Sequence, residues 1–437
     1  MPWRGSSHDR GATNESCLIS SLRLMEKPRV VIVGGGFGGL HAAKALATAP
    51  VEVVLIDRRN HHTFQPLLYQ VATAGLSAIE IAEPIRRVLR KQGNATVLMG
   101  EVSGIDLERR VVMATGQQAV PFDFLILATG VRDAYFGHEE WAEHAPGLKS
   151  VDDALAIRHR LLTAFERAEV EPDETRRAAL LTFVIIGGGA TGAELAGAIA
   201  EISRHTFMGE FRRIDPGRAR VMLIEGSDRI LSSYRPALSA KARTQLEKLG
   251  VEVLTGSPVT DIDEHGVSIG DRRIDAGTVL WAAGVEASPL GAKLDVPVDE
   301  MGRVLVTDDL SIPGHPHVFV IGDLANVEQD GRPVAGVAPA AIQMGRHAAR
   351  SVTARLNGDT PGPFRYVDRG TMATLGRSAA IAQIHRISLS GFPAWLAWLF
   401  VHLVFLIGFR NRLVVLLEWA RSYLTHGRSA RLIVGDD

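Results

Sequence analysis

Arg29-Val30-Val31-Ile32-Val33-Gly34-Gly35-Gly36-Phe37-Gly38-Gly39-Leu40 is a short apolar run that turns abruptly into glycines and then into helix formers. It reads as strand, tight turn and helix. Gly34, Gly36 and Gly39 fit G-x-G-x-x-G, in which one glycine allows the turn, one lets backbone approach a pyrophosphate and one lets helix and strand pack closely. The phosphate then sits on free N–H groups at the helix start. Val51 to Asp57 supplies a second strand, ending in an acid about 20 residues beyond the turn, where a ribose hydroxyl pair needs an acceptor.

The same pattern returns downstream. Leu180 to Ile186 leads into Gly187, Gly189 and Gly192, and Arg220 to Glu225 is again a strand closed by an acid. Two fingerprints predict two bound dinucleotides. The Glu225 carboxylate accepts from a free ribose 2′-hydroxyl and repels a 2′-phosphate, which favours NADH over NADPH, although Arg229 is close in sequence. Three further strands end in small residues or an acid where backbone can approach a cofactor: Phe122 to Gly130, Leu280 to Val285, and Val318 to Ala325 with its Gly322-Asp323 pair. A helix is expected over 338–349, starting near Pro339.

These elements predict an α/β fold of two Rossmann-like dinucleotide-binding domains, the second inserted in the first, with membrane-associating helices at the C-terminus. The expected division is a disordered tail over 1–27, the first part of one binding domain over 28–150, the second binding domain over 151–295, completion of the first over 296–358, and C-terminal strands and helices over 359–437. A helix is expected over 151–168 and a charged surface connection over 166–177. Residues 369 to 386 read as strands packing near the first domain.

Composition limits the chemistry. A chain of 437 residues with a net charge of -1 gives no global reason to expect a nucleic-acid partner. Its single cysteine, Cys17, excludes an internal disulfide, a cysteine metal cluster and a dithiol relay. Neighbours His61 and His62 point in different directions with no third ligand near, so they read as loop or capping residues and no metal is expected. With no side-chain redox group available, a flavin must carry electron transfer.

From Phe392 to Phe409 the chain is almost wholly apolar, close to the lower limit for a bilayer span of about 20 residues. Leu413, Leu416, Leu417, Ala420 and Leu424 then recur at helical spacing. Trp395, Trp398 and Trp419 suit an interface, and Arg410, Arg412, Arg421, Arg428 and Arg431 suit anionic head groups. The reading is a monotopic anchor; a buried core helix, a dimer face and a true span are the alternatives.

With two dinucleotides and a membrane-seeking end, the sequence resembles the type II NADH dehydrogenases, single-chain NADH:quinone oxidoreductases, from residue 28 to about 430. The generic glycine motifs carry part of the resemblance. Thr63-Phe-Gln-Pro-Leu-Leu-Tyr-Gln-Val-Ala72, Gly370-Thr-Met-Ala-Thr374 and the terminal helices are more particular. The resemblance implies FAD against Gly34, Gly36, Phe37, Gly38, Gly39, Asp57, Gln65, Leu67, Val102, Ala128, Thr129, Gly130, Gly322 and Asp323. It implies NADH against Gly187, Gly189, Gly192, Glu194, Glu225, Ala283 and Gly284. Hydride would pass from NADH to FAD and two electrons on to a membrane quinone, without proton pumping. Glu194 and Gln343 are the candidate catalytic residues, with helix capping as the plainer role for Glu194. Pro339, Ile342 and Gln343 are the candidate quinone contacts.

One departure stands out. The family usually carries Ala-Gln-x-Ala-x-Gln where quinone meets flavin, and here the stretch is Ala338-Pro339-Ala340-Ala341-Ile342-Gln343. Proline lacks both the amide side chain and a backbone donor. The implied location is the cell membrane, peripheral on the cytoplasmic side, and a homodimer stays open. The alternatives are a soluble-acceptor NAD(P)H reductase of the same superfamily, which would lack residues 392 to 424, and a non-catalytic nucleotide-binding membrane sensor.

Overall fold

The computed structural model describes residues 27–407, 409–425, 428 and 430–433. The expected tail over 1–27 lies outside the described residues except for Lys27. The opening strand, Arg29–Val33, is apolar at every position after the first, and Val30, Val31 and Ile32 are fully buried. A continuous run of this kind suits a parallel strand covered on both faces. It pairs in parallel with Glu52–Asp57 on one side and Phe124–Leu127 on the other. Ala95–Met99 extends one edge, and His315–Val320, then Ser311–Ile312, extend the other. The parallel pairing of His315–Val320 with Phe124–Leu127, Val318 opposite Leu125, joins stretches far apart in sequence.

Thr182–Ile186 organises a second sheet in the same way, with parallel neighbours Arg220–Ile224 and Thr278–Trp281, and Val251–Leu254 beyond. The chain crosses between the sheets twice. The two crossings, Val131–Asp133 and Val285–Ala287, pair with each other as antiparallel strands.

Helix Ala338–Leu356 lies against helix Phe37–Ala45 at a glycine contact: a Cβ on Gly345 would stand 2.2 Å from the Gly38 carbonyl oxygen. Any side chain there forces the helices apart. Helix Val151–Val170 runs beyond the expected end at 168, started by a capping box in which Ser150 and Asp153 satisfy each other's backbone N–H. A further helix, Glu174–Leu180, begins where the Asp173 side chain accepts from the Arg176 N–H at 2.8 Å. The expected 12-residue connection is therefore helical at both ends, because its charges cap and solvate helices.

Strands Thr371–Thr374, Ala380–Ile384 and Ile387–Ser390 form one antiparallel sheet. It meets the first domain, where Tyr69 OH lies 2.9 Å from Thr374 Oγ1. It also packs on helix Ala190–Glu201, which follows the second glycine turn: a Cβ on Gly197 would stand 2.9 Å from the Leu375 carbonyl carbon.

The chain ends in helices Phe392–Phe405 and Phe409–Thr425. Among the described residues no helix is long and apolar enough to cross a membrane. Ala394, Trp398 and Val415 face the body of the protein, whereas Phe392, Leu396, Phe400, Val404, Leu413, Leu416 and Leu417 are exposed. Trp398 is only 2% exposed, stacked on His402 and tilted against Trp419, so it serves the core and not an interface.

Candidate functional site

A cavity of about 550 Å³ opens where the strands of the larger sheet end. Its lining brings together Gly34, Gly36, Phe37, Gly38, Asp57, Gln65, Val102, Ala128, Thr129, Gly130, Gly322 and Asp323. Gly34 has φ +103°, and a Cβ there would lie 2.4 Å from the Ala128 carbonyl oxygen. Gly39 does not line the cavity; a Cβ on it would lie 1.9 Å from the Gly34 carbonyl oxygen, so it lets helix and strand close up. Leu67 does not line the cavity; it is fully buried in the hydrophobic core.

The first turn is built to receive phosphate. A Cβ on Gly36 would meet nothing within 4 Å, and the helix it starts has neither a side-chain cap nor an acid in its first turn. The orphan N–H groups there carry the positive end of the helix dipole. Asp57 accepts the Gly35 N–H at 2.6 Å and the Arg59 N–H at 2.7 Å, which holds the turn ready while leaving lone pairs for a diol. Thr129 Oγ1 and His62 Nε2 are buried without a hydrogen-bond partner among the described residues. Unpaired buried polar atoms in a phosphate-ready cavity fit a dinucleotide.

Several lining residues escaped the sequence reading. His62, Lys149, Ser150 and Lys293 all face this cavity. His62 Nδ1 lies 3.0 Å from the Gly35 carbonyl oxygen, and burial lowers its pKa to about 4, which keeps the ring neutral. The His61-His62 pair was a visible signal, though for a loop. Lys149 and Lys293 come from distant stretches with no motif around them.

The second turn repeats the geometry of the first. Gly187 has φ +106°, Gly189 faces open space, and a Cβ on Gly192 would lie 1.9 Å from the Gly187 carbonyl oxygen. Glu225 accepts from the Gly188 N–H at 2.6 Å and the Ser227 N–H at 2.7 Å. Burial opposes its charge, but the hydrogen bonds from Ser227 and Gly188 outweigh that and hold the carboxyl below its ordinary value. Arg229 spends its guanidinium on the carbonyls of Tyr234 and Ser232. Ala283 and Gly284 follow strand Thr278–Trp281, with the Phe136 ring against Gly284.

Glu194 is the fifth residue of its helix, beyond the first turn, and accepts from the Thr374 N–H at 3.3 Å instead of capping its own helix. Burial raises its pKa to about 8. It lines a second cavity, about 300 Å³, with Tyr69, Glu201, Trp398 and Trp419. A hydrogen-bonded line runs outward from its partner residue: Thr374 Oγ1 to Tyr69 OH at 2.9 Å, Gln70 to Tyr69 OH at 2.9 Å, and Trp419 Nε1 to Gln70 at 2.8 Å.

A further cavity, about 420 Å³, is lined by Phe37, His41, Lys44, Pro339, Ile342, Gln343, Arg346, Arg369, Val404, Phe405, Ile407 and Arg412. It gathers the three residues expected to meet quinone. The start of helix Ala338–Leu356 divides it from the 550 Å³ cavity: Ala338 and Ala341 face one side, Pro339 and Ile342 the other, and Phe37 lines both. Pro339 sits in the first turn, where a missing N–H costs nothing. Gln343 is engaged at both ends of its amide, donating to the Val367 carbonyl at 3.0 Å and accepting the Val367 N–H at 2.9 Å. Its amide fastens the segment before strand Thr371–Thr374, so only its flank faces the cavity.

Comparison with known proteins places this geometry. Residues 28–345 match the family model for pyridine nucleotide-disulphide oxidoreductases, and residues 369–429 match that for the NDH2 C-terminal domain. The chain is similar to the type II NADH:quinone oxidoreductase Ndh of Mycobacterium tuberculosis, 48% identical over 92% of this chain and 89% of the relative. It is 45% identical to NdhA of the same organism, over 93% of this chain and 89% of that one. Among solved structures, NDH2 of Plasmodium falciparum in complex with NADH has the same fold, with a TM-score of 0.85 at 19% identity over 92% of this chain and 99% of that chain. The sulfide:quinone oxidoreductase of Aquifex aeolicus follows the same fold at a TM-score of 0.71 and 18% identity, over 88% and 92% of the two chains.

Proposed function

The chain belongs to the type II NADH dehydrogenases, FAD-dependent enzymes that oxidise NADH and reduce a quinone, and from that premise we propose how its own residues divide the work. Residues 28–150 and 296–358 hold FAD, and residues 151–295 hold NADH. The long-range pairing of His315–Val320 with Phe124–Leu127 supports that division. The uncapped helix start after Gly36, the Asp57 carboxylate and the unpartnered Thr129 Oγ1 bind the resident cofactor. FAD, when bound, supplies the two-electron carrier that no side chain of this chain provides. Gly189 and Glu225 receive NADH, Gly192 lets helix and strand close up beneath it, and Glu225 selects the free 2′-hydroxyl, since Arg229 is committed to backbone carbonyls.

Quinone enters the 420 Å³ cavity beside Pro339, Ile342 and Gln343. The observation that carries this assignment is the shared wall: Phe37 and one turn of helix separate that cavity from the FAD cavity. With proline in place of an amide, the apolar part of the lining, Phe37, Ile342 and Ile407 beside Pro339, holds the ring. Glu194, on the helix that follows the NADH turn, holds through burial a proton that it can give up. The exposed apolar side chains of the last two helices rest on the membrane, on its cytoplasmic face.

The assignment separates two half-reactions. In an anaerobic titration NADH should bleach the flavin absorbance, and a short-chain quinone should restore it. Val404→Trp, which narrows the cavity from its exposed rim, should keep the bleaching and slow recovery at least several-fold. Absence of bleaching would refute the enzyme assignment; unchanged recovery in the variant would refute the quinone cavity.

A further inference from the structure

The quinone cavity has a charge pattern that a neutral quinone does not explain. Lys44, Arg346, Arg369 and Arg412 line it together with His41, and no carboxylate does. Four separate elements supply the four cations: helices Phe37–Ala45, Ala338–Leu356 and Phe409–Thr425, and the segment leading into strand Thr371–Thr374. Among the described residues none of the four forms an ion pair, whereas Arg428 and Arg431, two of the five arginines expected at the membrane from sequence, pair with Glu201 and Glu210. Arg412 Nε donates to the Leu406 carbonyl at 2.7 Å, which fixes its guanidinium at the cavity. Burial and the Arg346 charge hold Lys44 below its ordinary value, the sign of like charges gathered without a counterion. Along the same rim, Val404 and Phe405 are 46% and 42% exposed, next to the outward apolar face of their helix.

Gathered cations repel one another until an anion sits between them, and the exposed apolar rim calls for a hydrocarbon. One molecule satisfies both. We infer that the mouth of the quinone cavity seats an anionic phospholipid, its phosphate among Lys44, Arg346, Arg369 and Arg412 and its acyl chains along Val404 and Phe405. The inference rests on the membrane-docking reading and extends it: the lipid that borders the mouth tunes quinone access.

The test uses full-length, FAD-loaded protein with vesicles of phosphatidylcholine alone or mixed with phosphatidylglycerol. Flotation measures binding, and steady-state turnover with a long-chain quinone dissolved in the vesicles gives KM. Wild type should bind both vesicles, at least about tenfold more tightly where phosphatidylglycerol is present, given the usual worth of a surface cation near anionic lipid, and with a lower quinone KM there. K44Q/R346Q, altered at two exposed helix positions, and separately R369Q, should still bind neutral vesicles and lose most of both gains; FAD content reports their folding. Equal binding and KM in both vesicles, or variants that keep the wild-type gain, would overturn the inference alone. An equal KM shift from inorganic phosphate in neutral vesicles would replace the lipid with a free anion and overturn it too. Failure to bind either vesicle would overturn the docking reading, and this inference with it.

Discussion

Glu194 shows how surroundings set the behaviour of a single carboxyl. Its one backbone donor, Thr374 N–H, favours the ionised form, but burial dominates and raises the pKa to about 8. The unfolded chain releases that proton near the ordinary glutamate value, so between about pH 4.5 and pH 8 the folded state holds more protons than the unfolded one. Stability from this group is therefore complete below that window and falls as pH rises through it. Glu194→Gln keeps the shape of the neutral acid and removes the titration. Melting temperatures of wild type and E194Q should nearly coincide at about pH 5, with wild type several degrees lower at about pH 8. Parallel curves across the window would show that the carboxyl is not held protonated.

At the scale of elements, one arginine ties the end of the chain to the helix that carries Glu194. Arg428 donates to the Thr73 carbonyl at 2.6 Å and to the Ala198 carbonyl at 3.2 Å, and pairs with Glu201 at 3.4 Å. Glu201 also accepts the Arg377 N–H, so one carboxylate holds the three-stranded sheet and the chain end together. Removing one member of such a buried pair strands the other, at a cost of about 3–5 kcal/mol. Arg428→Ala should lower the melting temperature and speed proteolysis after Phe409; E201M/R428M, which strands no charge, should recover much of that loss. Equal melting of R428A and wild type would show the latch to be idle. This contact could not be read from spacing. The glycine turns and their acids were legible because each is a local pattern with a steric or hydrogen-bond reason, and the structure repeats them in Gly34–Asp57 and Gly187–Glu225. Arg428, Arg431 and Trp398 looked like membrane-facing residues because their type suits an interface, and nothing in their neighbourhood reveals that Glu201 and Glu210 wait for the two arginines or that the tryptophan is turned into the core. The sheet formed from Thr371 to Ser390 was visible as strands, but its packing on Gly197 depends on a glycine nearly 180 residues away.

For the whole molecule, the last two helices have both an inner and an outer apolar face, and this determines how membrane docking can be tested. In helix Phe392–Phe405 almost every position is apolar, so periodicity could not say which side is covered. The structure assigns Ala394 and Trp398 inward and leaves Phe392, Leu396, Phe400 and Val404, spaced four apart, outward. Leu413, Leu416 and Leu417 continue that outer face with further exposed apolar side chains, the kind of surface that marks an interaction site. Deleting the chain from about residue 385 would remove strand Ile387–Ser390 and uncover core around Trp398, Leu406 and Val415, confusing loss of docking with loss of fold. Replacing only outward residues avoids this. L396S/F400S/L417S should retain FAD, NADH bleaching and a melting temperature within a few degrees of wild type, because surface substitutions usually change stability by no more than about 0.5 kcal/mol. It should nonetheless move from the membrane to the soluble fraction and lose turnover with a quinone confined to vesicles while keeping it with a water-soluble acceptor. Retention on membranes with all three side chains replaced would mean that the protein docks through another face.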